Sequence, residues 1–252
     1  MEEAKETKDL EPASRWQVDL CEAAGGQSTL ALVDSPAAGP LLDRDVIVLG
    51  HGAGTSAEHP LMESLAHAFL AEGFGVVRFD FPYRRPDTDG APRRRPPDRM
   101  PKLVACFRDV AQAVRERLRP RHLILAGHSM GSRAAAHLGS VDNDGVAGVL
   151  LCAYPLHPQG KPDRLRDEVL LDLNAKGTST LWISGTRDAL CRPEVDAAVT
   201  AKLGACFSHM RIPGVDHSYE PLKRSGLSRG DVLQSIAAAA RGWCGTLDGR
   251  SS

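Results

Sequence analysis

The sequence has no apolar run near the roughly 18–20 residues needed to cross a bilayer. Its longest candidates are short segments such as VAGVLLCAYPL. Nor does it open like a secretory signal, because MEEAKETKDLEPAS is polar and acidic where a signal is basic and then apolar. A soluble, cytoplasmic protein is expected, with residues 1–14 as a frayed tail, a single domain over 15–244 and a second tail over 245–252. Charge of one sign is also missing. Lys and Arg number 31 against 32 Asp and Glu, so no overall field draws the chain toward nucleic acid or an anionic membrane, and neither is expected as a partner. Six cysteines (Cys21, Cys106, Cys152, Cys191, Cys206, Cys244) are scattered without a C-x-x-C pair and are too few for a disulfide scaffold. Reduced thiols are expected. H-E-x-x-H is absent and no Cys/His cluster at zinc spacing occurs, so no metal and no cofactor is expected.

What the 252 residues do contain is alternation. Eight β-rich runs, RWQVDL, STLALV, DVIVLG, GVVRF, HLILAG, VAGVLLC, TLWISG and CFSHMRI, are separated from the third onward by segments with helical spacing. In residues 99–118, Met100, Leu103, Val104, Phe107, Val110, Val114 and Leu118 share one helical face. Strand–helix alternation predicts an α/β fold, a largely parallel sheet covered by helices on both sides. The first two runs have no helix between them and predict an antiparallel start. Ligands of such sheets sit beyond the carboxyl ends of the strands.

Chemistry accordingly belongs where strands end, and there the sequence places Gly127-His128-Ser129-Met130-Gly131, a G-x-S-x-G between the strand HLILAG and a helix. A sharp strand-to-helix turn exposes the serine hydroxyl, and flanking glycines make room for it. The competing reading is a serine that only caps a helix. A nucleophilic serine needs a base, itself oriented by a carboxylate. Asp188 follows TLWISG and His217 follows the last strand, in the chain order Ser, acid, His. His209 lies inside a strand pattern and reads as a core or surface side chain. Asp216 is too close in sequence to its neighbour His217 to orient the ring easily.

Developing negative charge on an acyl carbonyl needs backbone N–H donors. Met130, after the nucleophile, supplies one. The glycine-rich VLGHGAGTS (48–56) supplies the other from Ala53, with Gly54 as runner-up. A phosphate loop is the rival reading, but the lysine of G-x-x-x-x-G-K-[ST] is absent. Gly54, His128, Tyr83, Arg84 and Pro155 flank these segments as candidate substrate contacts.

Taken together in this order, HGAG, GHSMG, SGTRDAL and GVDHSY resemble the α/β-hydrolase superfamily over most of residues 15–242. With FDFPYRR, RRRPPDR and YPLHPQGKPDRLR the chain resembles more narrowly the dienelactone-hydrolase-like group, and within it the testis-expressed and chromatin-complex hydrolase-like family. The resemblance implies a three-layer fold with an eight-stranded, mostly parallel sheet, a minimal lid, and a serine hydrolase site at Ser129, Asp188 and His217. Dienelactone hydrolases usually carry cysteine where this chain has Ser129, which favours ordinary ester, thioester or amide cleavage. A small-molecule ester or thioester is the expected substrate. Some relatives serve as complex subunits, so an interaction subunit with a residual triad is the alternative. The segment 81–99, with six Arg, three Asp and five Pro, is expected to be a solvated loop rather than an anion clamp. Only 12 aromatic residues occur, pointing to an aliphatic acyl pocket.

Overall fold

The computed structural model describes residues 13–35, 41–84, 95–142 and 144–248. The tail expected over residues 1–14 falls almost wholly outside them, as do residues 85–94 of the arginine-rich segment.

All eight predicted strands form: β1 (Ser14–Asp19), β2 (Ser28–Asp34), β3 (Asp45–Gly50), β4 (Gly75–Phe79), β5 (His122–His128), β6 (Gly148–Cys152), β7 (Thr180–Gly185) and β8 (Phe207–Ile212). They make one sheet in the order β1-β2-β4-β3-β5-β6-β7-β8. β1 pairs antiparallel with β2, and β2 antiparallel with β4, while every pair from β4 to β8 is parallel. Six helices connect and cover the strands: α1 (Pro60–Ala71), α2 (Met100–Leu118), α3 (Met130–Val141), α4 (Glu168–Ala175), α5 (Pro193–Thr200) and α6 (Arg229–Cys244).

The central strands read as unbroken apolar runs because both their faces are buried. Alternate residues divide between two cores. Val46, Val48, Leu123, Leu125, Val149 and Leu151 pack on the side of α2, α3 and α4. Ile47, Leu49, Ile124, Ala126, Leu150 and Ile183 pack against α1 and α6. The predicted face of α2 is the buried one, widened by Ala105, Cys106 and Ala111. α2 ends at Arg119 in the left-handed region, and α6 begins with a capping box between Ser228 and Asp231.

The chain after Cys244 is not a free tail over its described part. Leu247 is buried, and Asp248 pairs with Arg121 and with His122. Its apolar side chain and carboxylate both find partners on the body.

At that same end of the sheet, away from the strand carboxyl ends, Asp45, His122 and Cys244 come together. Sequence spacing gave no hint of it, since the three residues are spread over 200 positions by register alone. Their own charges close the cluster. Asp45 accepts from His122 Nδ1 at 2.9 Å and from Arg241 at 2.6 Å. Against the cost of burial, those two bonds hold its carboxyl below the usual range. Burial pushes the Cys244 thiol up to about 12, so it stays protonated. None of the six cysteines forms a disulfide. Among the described residues no helix is long and apolar enough to cross a membrane.

Candidate active site

Ser129 sits between β5 and α3 with φ 55° and ψ −111°. For a residue with a Cβ this is a strained backbone costing about 1–3 kcal/mol. Close packing holds it there. A Cβ on Gly127 would lie 2.1 Å from the carbonyl carbon of Gly131, and one on Gly131 would lie 2.1 Å from the Gly50 oxygen. Only glycine lets α3 approach the tips of β5 and β3 this closely. The Ser129 N–H donates to Cys152 O on β6 at 3.0 Å, fixing the turn against the neighbouring strand.

The loops after β7 and β8 bring two further groups to this turn. His217 Nε2 lies 2.9 Å from Ser129 Oγ, and His217 Nδ1 lies 2.7 Å from Asp188 Oδ2. A carboxylate only accepts, so Nδ1 carries the proton and Nε2 presents its lone pair to the hydroxyl. Asp188 is buried, and its other oxygen accepts from Leu190 N–H at 2.7 Å. The two loops are joined backbone to backbone, Thr186 N–H to Ile212 O at 3.0 Å and Arg187 N–H to Val215 O at 2.9 Å. A Cβ on Gly185 would strike Val215 O at 2.2 Å, which explains the glycine at the end of β7. Asp216 is occupied with its own turn, accepting from Ser218 and Glu220 N–H at 2.9 and 3.0 Å.

Ala53 and Met130 line one cleft with Ser129, a cavity of about 440 Å³ whose walls also include Pro155, Leu103 and Leu190. The wall is partly aliphatic, as the scarcity of aromatics suggested. Polar groups line it too, among them Arg133, Arg166, Asp98 and His157. Gly54 is exposed, with open space where a Cβ would be.

Three other candidate contacts stand elsewhere. Tyr83 is buried, and its hydroxyl donates to Ala53 O at 2.9 Å, bracing the HGAG loop from behind. Arg84 is half-buried beside it and is not on the cleft wall. His128 alternates away from the cleft because it is the last residue of β5. It is buried, and its Nε2 donates to His217 O at 2.9 Å. Burial holds its pKa down at about 4, so the ring is neutral.

His51 was not singled out from sequence, yet it shapes the HGAG loop. Its Nδ1 donates to Gly52 O at 2.7 Å and its Nε2 accepts from Phe81 N–H at 3.1 Å. Asp80 lies 3.6 Å from Nε2, but burial lowers the His51 pKa to about 4 and that lone pair is already used, so no ion pair forms. The signal available in the sequence was the histidine of HGAG itself.

His209, read from its strand position as a core or surface side chain, has its ring turned inward. The ring stacks on Trp182 with centroids 4.2 Å apart, and Ser184 Oγ and Asp196 Oδ1 lie 3.0 and 3.4 Å from its nitrogens. This is a second Ser/His/Asp grouping, but both Ser184 and Asp196 are buried, and Arg211 occupies Asp196 at 2.9 Å. It offers no surface to a substrate.

A mostly parallel sheet whose strand ends carry a strained serine, a histidine and a buried carboxylate defines a hydrolase of the α/β class. The chain belongs to the alpha/beta hydrolase domain family, which it matches over residues 43–245. Similar solved structures include a lidless α/β serine hydrolase from Xanthomonas campestris, at 18% identity and TM-score 0.66 over 92% of this chain and 95% of that one. Est1E from Butyrivibrio proteoclasticus, solved with ferulic acid, aligns at 15% identity and TM-score 0.70 over 93% of this chain and all of the other. A dienelactone hydrolase from Anabaena variabilis aligns at 15% identity and TM-score 0.62 over 92% and 97% of the two chains. At these identities the likeness is one of fold.

Proposed function

We propose that the protein is a serine hydrolase that cleaves carboxylic esters or thioesters through an acyl-enzyme. The observation carrying this reading is the 2.9 Å contact between Ser129 Oγ and His217 Nε2, with Asp188 2.7 Å behind the ring. The Ser129 hydroxyl attacks the acyl carbonyl as His217 Nε2 takes its proton. Asp188 keeps the tautomer and stabilises the imidazolium. The N–H groups of Ala53 and Met130, both on the cleft wall with Ser129, receive the oxyanion and so lower the barrier. As the tetrahedral intermediate collapses, His217 returns the proton to the departing alcohol or thiol, and water then cleaves the acyl-enzyme by the same steps. These groups complete the cycle without a cofactor.

The esterase names of the structural neighbours accord with this reading, as does the aliphatic part of the cleft. The same proposal takes 15–244 as one domain, places the chain nearest the testis-expressed and chromatin-complex hydrolase-like family, and locates it in the cytoplasm as an enzyme of small molecules. A fluorophosphonate probe tests it. Wild-type protein labels and Ser129→Ala does not. An unlabelled wild type, inert toward p-nitrophenyl esters and acyl-CoA thioesters, overturns the reading in favour of an interaction subunit.

A further inference from the structure

Two guanidinium groups stand in the cleft that ester cleavage itself does not use. Arg133 lies four residues past Ser129 on α3, one turn along the same face, and helical side chains lean toward the N-terminus. It therefore leans back toward the nucleophile. Arg166 arrives on the connection between β6 and α4. Its N–H is tied to Leu156 O at 2.8 Å, and its carbonyl accepts from the buried Tyr154 hydroxyl at 2.7 Å. The Arg133 guanidinium lies beside that same hydroxyl. Both arginines line the cavity with Ser129.

Three guanidinium groups elsewhere in this protein are matched with acids. Arg78 is held by Asp34 through two bonds of 2.8 and 2.9 Å, Arg211 by Asp196 at 2.9 Å and Arg241 by Asp45 at 2.6 Å. Arg133 and Arg166 differ from these three, since among the described residues neither has a carboxylate within 4.0 Å. The Arg133 Nε is buried with no hydrogen-bond partner. One acid also lines the cleft: Asp98 gives one oxygen to Lys102 at 3.0 Å, and its other oxygen is buried without a partner. Partial burial, and then the charges of Arg133 and Arg164, lower the Arg166 pKa. The amino end of α3 adds a further partial positive charge. Two half-buried cations, neither of them paired with a carboxylate, favour the entry of an anion.

We propose that the cleft selects acyl groups bearing a second, anionic group, a carboxylate or phosphate, which Arg133 and Arg166 hold while the scissile carbonyl lies at Ser129. This assigns the clamp to α3 and the β6–α4 connection. It rests on the serine hydrolase reading for its catalytic half.

The test compares the mono-p-nitrophenyl ester of glutarate with the uncharged pentanoate ester of equal chain length. For wild-type protein kcat/KM is about tenfold or more higher for the glutarate ester, and raising KCl from 50 to 500 mM erodes the excess. Arg133→Gln and Arg166→Gln each lower the glutarate-to-pentanoate ratio about 10- to 100-fold, mostly through KM, the scale of a lost charge-assisted hydrogen bond. Arg166→Lys keeps part of the ratio. Inhibition of pentanoate ester cleavage by glutarate or by inorganic phosphate tells which anion fits better. A wild-type ratio near one, or variants that slow both esters equally, overturns the proposal while leaving the hydrolase reading intact. If Ser129 takes no fluorophosphonate label, the hydrolase reading fails instead, and calorimetric titration decides the subsite. Glutarate or phosphate binding that the double Gln variant loses supports it, and no binding to wild-type protein overturns it.

Discussion

His128 Nε2 donates to the backbone oxygen of His217 across 2.9 Å, so the residue before Ser129 holds the loop that carries the His217 ring. The two rings lie 5.3 Å apart between centroids. One turn of the chain thus presents the Ser129 hydroxyl outward and anchors the neighbouring imidazole from within.

His128→Ala releases that anchor. kcat falls about tenfold for every ester with little change in KM, because the contact positions the ring without touching substrate; one lost hydrogen bond of about 1.4 kcal/mol corresponds to that factor. His128→Gln, whose amide can donate to the same carbonyl, restores most of the rate. Equal loss in both variants would show that ring packing, not the hydrogen bond, does the positioning.

Asp188→Asn keeps the size of the side chain but can present N–H where His217 Nδ1–H now donates. The ring must then turn or change tautomer, and kcat drops by about 10⁴ with the melting temperature little altered. Steady-state kinetics beside thermal denaturation reads both quantities. A loss under tenfold would remove Asp188 from its assigned role.

Gly131→Ala puts a methyl group 2.1 Å from the Gly50 oxygen, against backbone with nowhere to yield. The cost is about 3 kcal/mol or more, at the upper end for overpacking. The variant is expected to melt far lower or to fail to fold, whereas Gly54→Ala, which meets open space, melts normally in the same assay.

Acid weakens the fold through buried imidazoles. Burial lowers His51, His128 and His209 to about 4, against roughly 6.5 in the unfolded chain. Between those values the unfolded state binds protons that the native state refuses, so stability rises with pH. The contribution is complete above about pH 6.5 and is lost as pH falls toward 4, by up to about 1.4 kcal/mol per pH unit for each histidine. Urea midpoints from pH 7 to 4.5 measure it, and His209→Gln flattens the curve. A midpoint constant from pH 7 to 5 would contradict the neutral assignment.

The eight strands were legible because a strand buried on both faces is written as a short, unbroken apolar run, as in DVIVLG. The serine turn was legible because its glycines are forced by backbone contact. Asp188 and His217 followed from chain order, and the 2.7 and 2.9 Å contacts are the geometry that order implied. His128, Tyr83 and Arg84 were less legible as wall residues. His128 ends β5 and turns into the body, while the sharp turn at Ser129 re-aims the next side chain at the cleft. Arg133 and Arg166 were hidden for another reason. Each sits in an ordinary polar position of a helix or loop, and only the approach of α3 to the β6–α4 connection sets them side by side. Likewise the meeting of Asp45, His122 and Cys244 depends on the register of β3 beside β5 and on where α6 ends.

The Asp188 and His217 loops are bonded to each other, but they leave from the last two strands of the sheet, and β8 at the margin is only partly buried. Warming that loosens this border will carry imidazole and carboxylate away together, as an intact pair, while the alcohol stays behind on its central strand. Inactivation will then precede melting and reverse on cooling, with the border strand acting as the thermal fuse of the molecule.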